Sequence, residues 1–294
     1  VRRRDFTING LLMDPETGCI IDFVEGRKDI EKRIVRTIGS PDERFSEDHL
    51  RMLRAVRFTS TLCFTLDDQS LKAIRQNAHL IRRISAERIR NELTRILTMG
   101  DSRRGIELLS ESGLLSHLLP EIEAMRGVSQ PEKYHPEGDV WEHTLRMIGF
   151  LSQRQDDLRS DIRFAWGILL HDVGKSETRT VDESGIHFYG HSRQGELLAA
   201  KIMRRLRFSR SEIDTVASMI GSHMKFMNVT NMRPNRLIRF IRTPDFHLHL
   251  ELHKLDCLAS HGNLDNYRFC LSKLNELSEQ ALHPERLITG RDLK

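Results

Sequence analysis

The apolar residues of this chain change their spacing once, near residue 46, and that change limits it to a mainly helical fold with a small β-containing start. Residues 7–14 (TINGLLMD) and 18–24 (GCIIDFV) are runs rich in β-formers. Pro15, Glu16, Thr17 and Gly18 separate them and suit a tight connection, so a β-hairpin is expected, with RIVRTI (33–38) as a further strand. Beyond residue 46 the spacing is helical to the end. Successive helices are expected over Asp48–Thr61, Asp68–Asn77, Ala86–Met99 and Arg103–Ser112, punctuated at residues 100–101 and 112–113. Pro120, Pro131 and Pro136 then set off a second helical block, roughly 137–260.

No apolar run approaches the roughly 20 residues of a membrane-spanning helix, and no signal peptide opens the chain. A soluble, cytoplasmic protein of two or three domains sharing a sizeable core is expected from its 294 residues. Cys19, Cys63, Cys257 and Cys270 are widely scattered, which predicts reduced core thiols and neither a disulfide frame nor a zinc knuckle. A net charge of +4 conceals basic stretches at 2–4, 82–95, 201–210 and 233–242. In the last, a spacing of three puts Arg236, Arg239 and Arg242 on neighbouring turns of a helix, which suits a solvated face or a track for phosphates.

Three motifs then occur in order: RRRDFTINGLL (2–12), DFVEGRKDI (22–30) and RFSEDHLRMLRAVRF (44–58). Read as a helix, the last puts Asp48 and Arg51 one turn apart, an acceptor beside a planar donor fork. That pair fits the exocyclic amine and adjacent ring acceptor common to cytosine and adenine, and mismatches uracil and guanine. The same spacing is also that of a surface ion pair worth about 0.2–0.5 kcal/mol.

The motif order resembles the class II tRNA nucleotidyltransferase and poly(A) polymerase family, whose members add CCA, or CC and A separately, to tRNA 3′ ends. The resemblance runs on through residues 85–145 and returns at ITGRDL (288–293). It implies that Asp48 and Arg51 select CTP and ATP, that Arg54 helps hold the nucleotide, and that Arg3 and Arg4 meet the triphosphate while Asp5 meets the ribose hydroxyl. Residues 22–29 resemble the family's hinge between head and neck, where Gly26 would allow a backbone turn. In this setting the arginine stripes favour an RNA-facing surface. The family binds its catalytic metals through an Asp-x-Asp motif on an earlier strand. No counterpart lies in residues 1–294, so the chain is expected to be truncated and, alone, not to extend tRNA.

The second block carries His143, an adjacent His171-Asp172 pair in LLHDVGK, His191, His223 and Asp256. Four of these sit on apolar helical stripes: His171 with Phe164 and Ile168, His191 with Gly195, Leu198 and Ile202, His223 with Ile213, Val216 and Ile220, and Asp256 with Leu248, Leu252 and Leu255. Buried ionisable groups need partners, and a shared metal centre would satisfy all six together. The pattern resembles the HD phosphohydrolase superfamily, which implies divalent-metal hydrolysis of phosphate esters. Asp172 and Lys175 are the expected catalytic groups, the lysine one turn beyond His171 where it could stabilise a developing anion.

The expected fold is therefore mainly α: a partial nucleotidyltransferase head with a β-hairpin (1–38), a base-recognition region (39–65), a helical RNA-binding neck (66–130), an all-α HD domain (131–260) and the start of a tail (261–294). The expected activity is nucleotide addition to the tRNA acceptor end from CTP and ATP with Mg2+, beside an HD site holding Mg2+ or a transition metal such as Mn2+, Ni2+ or Fe2+. The alternatives are a stand-alone HD phosphodiesterase or phosphatase, a poly(A) polymerase, or an RNA-docking module. No membrane partner is expected, and the sequence predicts no particular protein partner.

Overall fold

In the computed structural model, residues 4–276 are described. The β-rich start is far shorter than its composition predicts. Strand β1 (Leu12–Met13) pairs antiparallel with β2 (Ile20–Ile21), while Thr7–Asn9 closes into a 3-10 turn. Asp22 ends β2 by turning its carboxylate onto the backbone N–H groups of Val24 (3.0 Å), Gly26 (3.1 Å) and Arg27 (3.0 Å), which opens helix α1 (Gly26–Glu31). The left-handed residue here is Glu25 (φ 57°), so Gly26 does not serve as the flexible turn. It serves close approach: a Cβ on Gly26 would lie 2.2 Å from the Thr7 carbonyl oxygen.

Strand β3 (Ile34–Val35) precedes α2 (Pro41–Glu47) and α3 (Leu50–Leu62), and pairs parallel with β4 (Thr65–Leu66), a strand that the helical spacing hid. Helices α4 (Asp68–Asn77), α5 (Ala86–Thr98), α6 (Ser102–Glu111), α7 (Leu114–Leu118) and α8 (Pro120–Glu123) follow. The second block holds α9 (Val140–Ser152), α10 (Ile162–Leu170), α11 (Lys175–Thr178), an antiparallel hairpin of β5 (Thr180–Asp182) and β6 (Gly185–His187), α12 (His191–Arg205), α13 (Arg210–Ser222), a 3-10 segment His223–Asn231, α14 (Pro234–Ile241), α15 (Phe246–Ala259) and α16 (Asp265–Glu276). No described helix is long and apolar enough to cross a membrane.

Helix starts are fixed by short acceptors. Asp67, Asp101, Asp139 and Asp161 accept from backbone N–H groups in the first turns of α4, α6, α9 and α10, and Ser209 with Glu212 forms a reciprocal capping box on α13. One apolar core runs from Phe6 through α3, α5 and α6 into α9, α10, α12 and α13. At the junction, Trp166 Nε1 donates to Thr94 Oγ1 (3.1 Å), and Arg159 donates to the carbonyls of Leu97 (2.9 Å) and Gly100 (2.8 Å). A smaller core gathers Phe226, Leu237, Phe240, Phe246 and Cys270. The cysteines divide: Cys257 and Cys270 are buried as expected, but Cys19 and Cys63 are exposed, because one sits in the thin β-ribbon and the other at the left-handed end of α3.

His249 and His253 on α15 are buried structural groups, His253 stacked on Phe226 with centroids 4.4 Å apart. Burial pushes both pKa values down to about 4, below the ordinary value of about 6.5. Above about pH 6.5 both are neutral folded or unfolded. As pH falls towards about 4, the unfolded chain takes up protons that the folded chain refuses, and stability drops by about 1.4 kcal/mol per pH unit for each histidine. Denaturant melts between pH 7 and 4 are expected to show this acid slope, shallower by about one proton in His253→Leu. An identical slope in that variant would assign the protons elsewhere.

Candidate nucleotide cluster and metal centre

The three N-terminal motifs converge through ion pairs. Asp5 bridges two arginines of α3: its Oδ1 accepts from Arg51 Nε (2.9 Å) and its Oδ2 from Arg54 Nε (2.6 Å). Arg51 also reaches the Arg44 carbonyl (3.0 Å) and Glu47 (2.5 Å), contacts that hold its charge and raise its pKa against partial burial. Arg4 is exposed next to Asp5, and Arg3 lies outside the described residues.

Asp48 departs from the expected geometry. It is not on a helix with Arg51 but in the extended break between α2 and α3 (φ −149°, ψ 105°). There its Oδ1 accepts from Leu50 N (3.0 Å) and its Oδ2 from Arg88 Nη2 of α5 (2.9 Å). Partial burial works against its ionised form, but the Leu50 N–H and Arg88 outweigh it and lower the pKa, so Asp48 is a fixed acceptor. An aspartate that prefers to cap rather than continue a helix explains the difference.

The six expected metal ligands come together in the second block. His143 comes from α9, the His171-Asp172 pair from the end of α10, His191 from the first turn of α12, His223 from the end of α13 and Asp256 from α15. Ligand atoms of His143, His171 and Asp172 lie within 4.8 Å of one another, as do those of Asp172, His191 and His223. Asp256 Oδ1 is 3.2 Å from His143 Nε2. Two glycines permit this. A Cβ on Gly174 would meet the backbone oxygen of His191 at 2.2 Å and Gly195 N at 2.6 Å, so α12 can lie directly on the His171-Asp172 turn. Gly174→Ala is expected to cost about 1–3 kcal/mol and to weaken Mn2+ binding, read by thermal unfolding with and without the ion. Unchanged melting in both conditions would show that α12 moves freely.

The four histidines are oriented alike. Nδ1 donates to Glu137 in His143 (2.6 Å), and to the carbonyls of Ile168 in His171 (2.8 Å), Phe188 in His191 (2.8 Å) and Ile220 in His223 (2.6 Å). With Nδ1 protonated, a neutral ring offers a lone pair at Nε2, the arrangement seen around bound metals. The Nε2 atoms of His143 and His171 are buried out of hydrogen-bond geometry, each 3.2 Å from a carboxylate oxygen (Asp256 Oδ1 and Asp172 Oδ2), and those of His191 and His223 face each other at 3.2 Å. Two acceptors so placed repel unless a cation lies between or beside them, so the donor set fits a divalent metal. Burial pushes His223 down to about 4, keeping its lone pair free. Burial also acts to lower His143, but Asp256 and Glu137 outweigh it and raise the pKa to about 9, so that without a metal a proton takes the place of one. Asp172 and Asp256 are held well below the carboxylate range, the surrounding cations outweighing burial.

Lys175 departs from its expected role. Its buried Nζ is bound to Asp172 Oδ2 (2.6 Å) and Gln130 Oε1 (2.6 Å), which makes it a counter-charge to a candidate ligand rather than a free cation over substrate. The sequence reading missed Glu137, which accepts from both His135 (2.9 Å) and His143 and whose pKa falls to about 2 as those contacts outweigh burial. Its signal was the short HPEGD stretch between prolines and α9, read only as a boundary. Of the arginine stretches, the one at α14 stands apart. Arg233, Arg236 and Arg239, with Lys225, line a cleft of about 1140 Å3, and among the described residues none of the four has a carboxylate partner. Others are internally paired, as Arg88 with Asp48 and Arg205 with Glu121.

A short-stranded start, a run of helices and a His/Asp-lined helical block make a chain of the class that joins a polymerase-type head to an HD domain. Residues 1–36 match the family described as poly A polymerase head domain, 63–126 the family described as "Probable RNA and SrmB- binding site of polymerase A", and 140–256 the HD domain. An A-adding tRNA nucleotidyltransferase of Deinococcus radiodurans is 32% identical over 309 aligned residues, spanning 100% of this chain and 69% of that protein. A multifunctional CCA protein of Nitrosococcus oceani is 31% identical, spanning 83% of this chain and 58% of its own length. The crystal structure of the Bacillus stearothermophilus CCA-adding enzyme in complex with CTP superimposes with a TM-score of 0.66 at 25% identity, over 99% of this chain and 62% of that one. The chain belongs to the tRNA nucleotidyltransferase family. It spans between 58% and 69% of the length of these relatives.

Proposed function

We propose that this chain supplies the base-selecting and RNA-holding parts of an enzyme that adds nucleotides to tRNA 3′ ends. The observation that carries this reading is the Asp5 carboxylate shared by Arg51 and Arg54 beside the fixed acceptor Asp48. Asp48 accepts from the exocyclic amine of cytosine or adenine, and Arg51, whose Nη2 has no partner among the described residues, donates to the neighbouring ring acceptor. Asp5 holds the two arginines in register and accepts from the ribose. Arg3 and Arg4 bind the triphosphate, and Mg2+, when bound with it, neutralises charge on the phosphoryl oxygens. The neck and the Arg233–Arg239 cleft hold tRNA through backbone phosphates, which every tRNA presents. A cytoplasmic location accords with that role.

Equilibrium binding of CTP, ATP, UTP and GTP tests the selection. CTP and ATP are expected to bind about tenfold or more tightly than the other two, and Asp48→Ala to erase the difference, since an unpaired buried polar group costs about 1–3 kcal/mol. Equal binding of all four by the unmodified chain would defeat the reading.

A second activity is supported by the convergent histidine Nε2 atoms: hydrolysis of phosphate esters at the HD block. His143, His171, Asp172, His191, His223 and Asp256 would hold Mg2+, Mn2+ or a similar divalent ion, which supplies a water acidified towards neutral pH. Glu137 sets the tautomer of His143, and Lys175 with Gln130 fixes the Asp172 carboxylate.

A further inference from the structure

The HD pocket has a second chemistry at its mouth. Asp172, Lys175, His191, His223 and Asp256 share a cavity of about 370 Å3 with Tyr134, Tyr189, Met224 and Met227. All four of these apolar side chains are exposed, Tyr189 the most at 72%. Single exposed apolar residues need no explanation, but four around one polar pocket mark a binding rim.

Within that rim Tyr189 is held in a fixed plane. Its ring lies on the His187 ring, with centroids 5.1 Å apart and planes 13° from parallel. His187 is itself fixed from behind, its Nε2 lying 2.8 Å from Ser184 Oγ and 3.1 Å from Asp182 Oδ1. The β5–β6 hairpin carries all three of these residues and sets their register, pairing Thr180 with His187 and Asp182 with Gly185. One face of Tyr189 is thus covered by His187 while most of the residue stays open. Tyr189 is also tied to the metal cluster: Gly190 (φ 74°) turns the chain, and His191 follows at the start of α12. Two peptide units separate the platform from a candidate ligand, a Cα separation of at most about 7.6 Å, comparable to the reach of a sugar phosphate.

A fixed aromatic face beside a candidate metal cluster matches a ligand with a planar ring on one side and a phosphate on the other. We propose that Tyr189, backed by His187, is the base-stacking platform by which the HD pocket selects phosphoesters bearing a nucleobase over base-free ones. The proposal rests on reading the pocket as a metal-dependent phosphoester site, and it adds a specificity element that the six candidate ligands do not provide. Stacking on an aromatic face tolerates any base, so the platform selects nucleotides as a class.

Calorimetric titration of the whole chain in Mn2+ with adenosine 5′-monophosphate and with ribose 5-phosphate tests this without relying on turnover. The nucleotide is expected to bind about tenfold more tightly than the sugar phosphate, Tyr189→Ala to bring that ratio close to one, and Tyr189→Phe to restore it. Equal affinities in the unmodified chain, binding of neither probe, or a ratio unchanged in Tyr189→Ala would overturn the platform. A base preference that disappears in Tyr189→Ala, in a protein that hydrolyses no phosphoester, would uphold the platform and defeat the hydrolytic reading alone.

Discussion

Asp172→Ala is expected to remove divalent-metal binding and any phosphoester hydrolysis by the HD block. Two of the three candidate metal groups among the described residues, His143–His171–Asp172 and Asp172–His191–His223, share this carboxylate, and its two oxygens are divided between them. Oδ2 lies 3.2 Å from His171 Nε2, and Oδ1 lies 3.8 Å from the Nε2 atoms of both His191 and His223. Among the described residues no other carboxylate lies within 4 Å of three histidines. Losing an outer partner of a metal ligand typically costs 10–100-fold in affinity, so losing this group is expected to cost more than about 100-fold. The alanine variant also leaves Lys175 buried with Gln130 alone, and breaking a buried ion pair costs about 3–5 kcal/mol. Asp172→Asn separates the two effects, because an amide keeps the shape and still accepts from Lys175. The expected result is a folded protein that retains no Mn2+ after dialysis and does not cleave a 2′,3′-cyclic nucleotide. Wild-type metal content in the asparagine variant would show that the centre does not depend on Asp172.

Glu92→Ala is expected to cost comparable stability in the N-terminal half of the chain. Arg57 Nε of α3 meets Glu92 Oε2 of α5 at 2.6 Å, and both residues are buried. Removing the glutamate strands a guanidinium in the core, where its stacking on Phe58 (4.1 Å) cannot replace the lost charge. The cost is expected at about 3–5 kcal/mol, whereas replacing both partners by Met and Leu is expected to be near neutral. The helix that loosens is the one presenting Arg51 and Arg54, so CTP affinity should fall with stability in Glu92→Ala and recover in the double variant. Chemical denaturation of the single and double variants decides the matter. An equal loss in both would mean that packing, not charge, holds α3 to α5.

Much of this molecule was legible from residue order. Periodicity announced the helices, because burying one face of a helix imposes a repeat on the sequence that survives without any structure. The caps at Asp67, Asp101, Asp139 and Asp161, which periodicity did not announce, are also local contacts, each made within three residues. Departures came where a local preference met a distant partner. β4 exists because β3, some thirty residues earlier, offers an edge to pair with, and no periodicity records that. Asp48 left the helix because Leu50 N and Arg88 together hold it better than a helical turn would. Lys175 proved a partner of Asp172, since a buried ammonium one turn from a buried carboxylate has no better place to go.

The sequence by itself determined the family and the order of its matched segments, because short motifs are carried by residue spacing within one helix or turn. Only the tertiary structure decided the rest. It set which nitrogen of each histidine is free, placed Glu137 behind His143, closed Asp5 between two arginines and laid Tyr189 on His187. Each of these is a contact between groups whose distance depends on how whole elements pack. Orientation, unlike spacing, is fixed only when hydrogen bonds from several elements meet at one point.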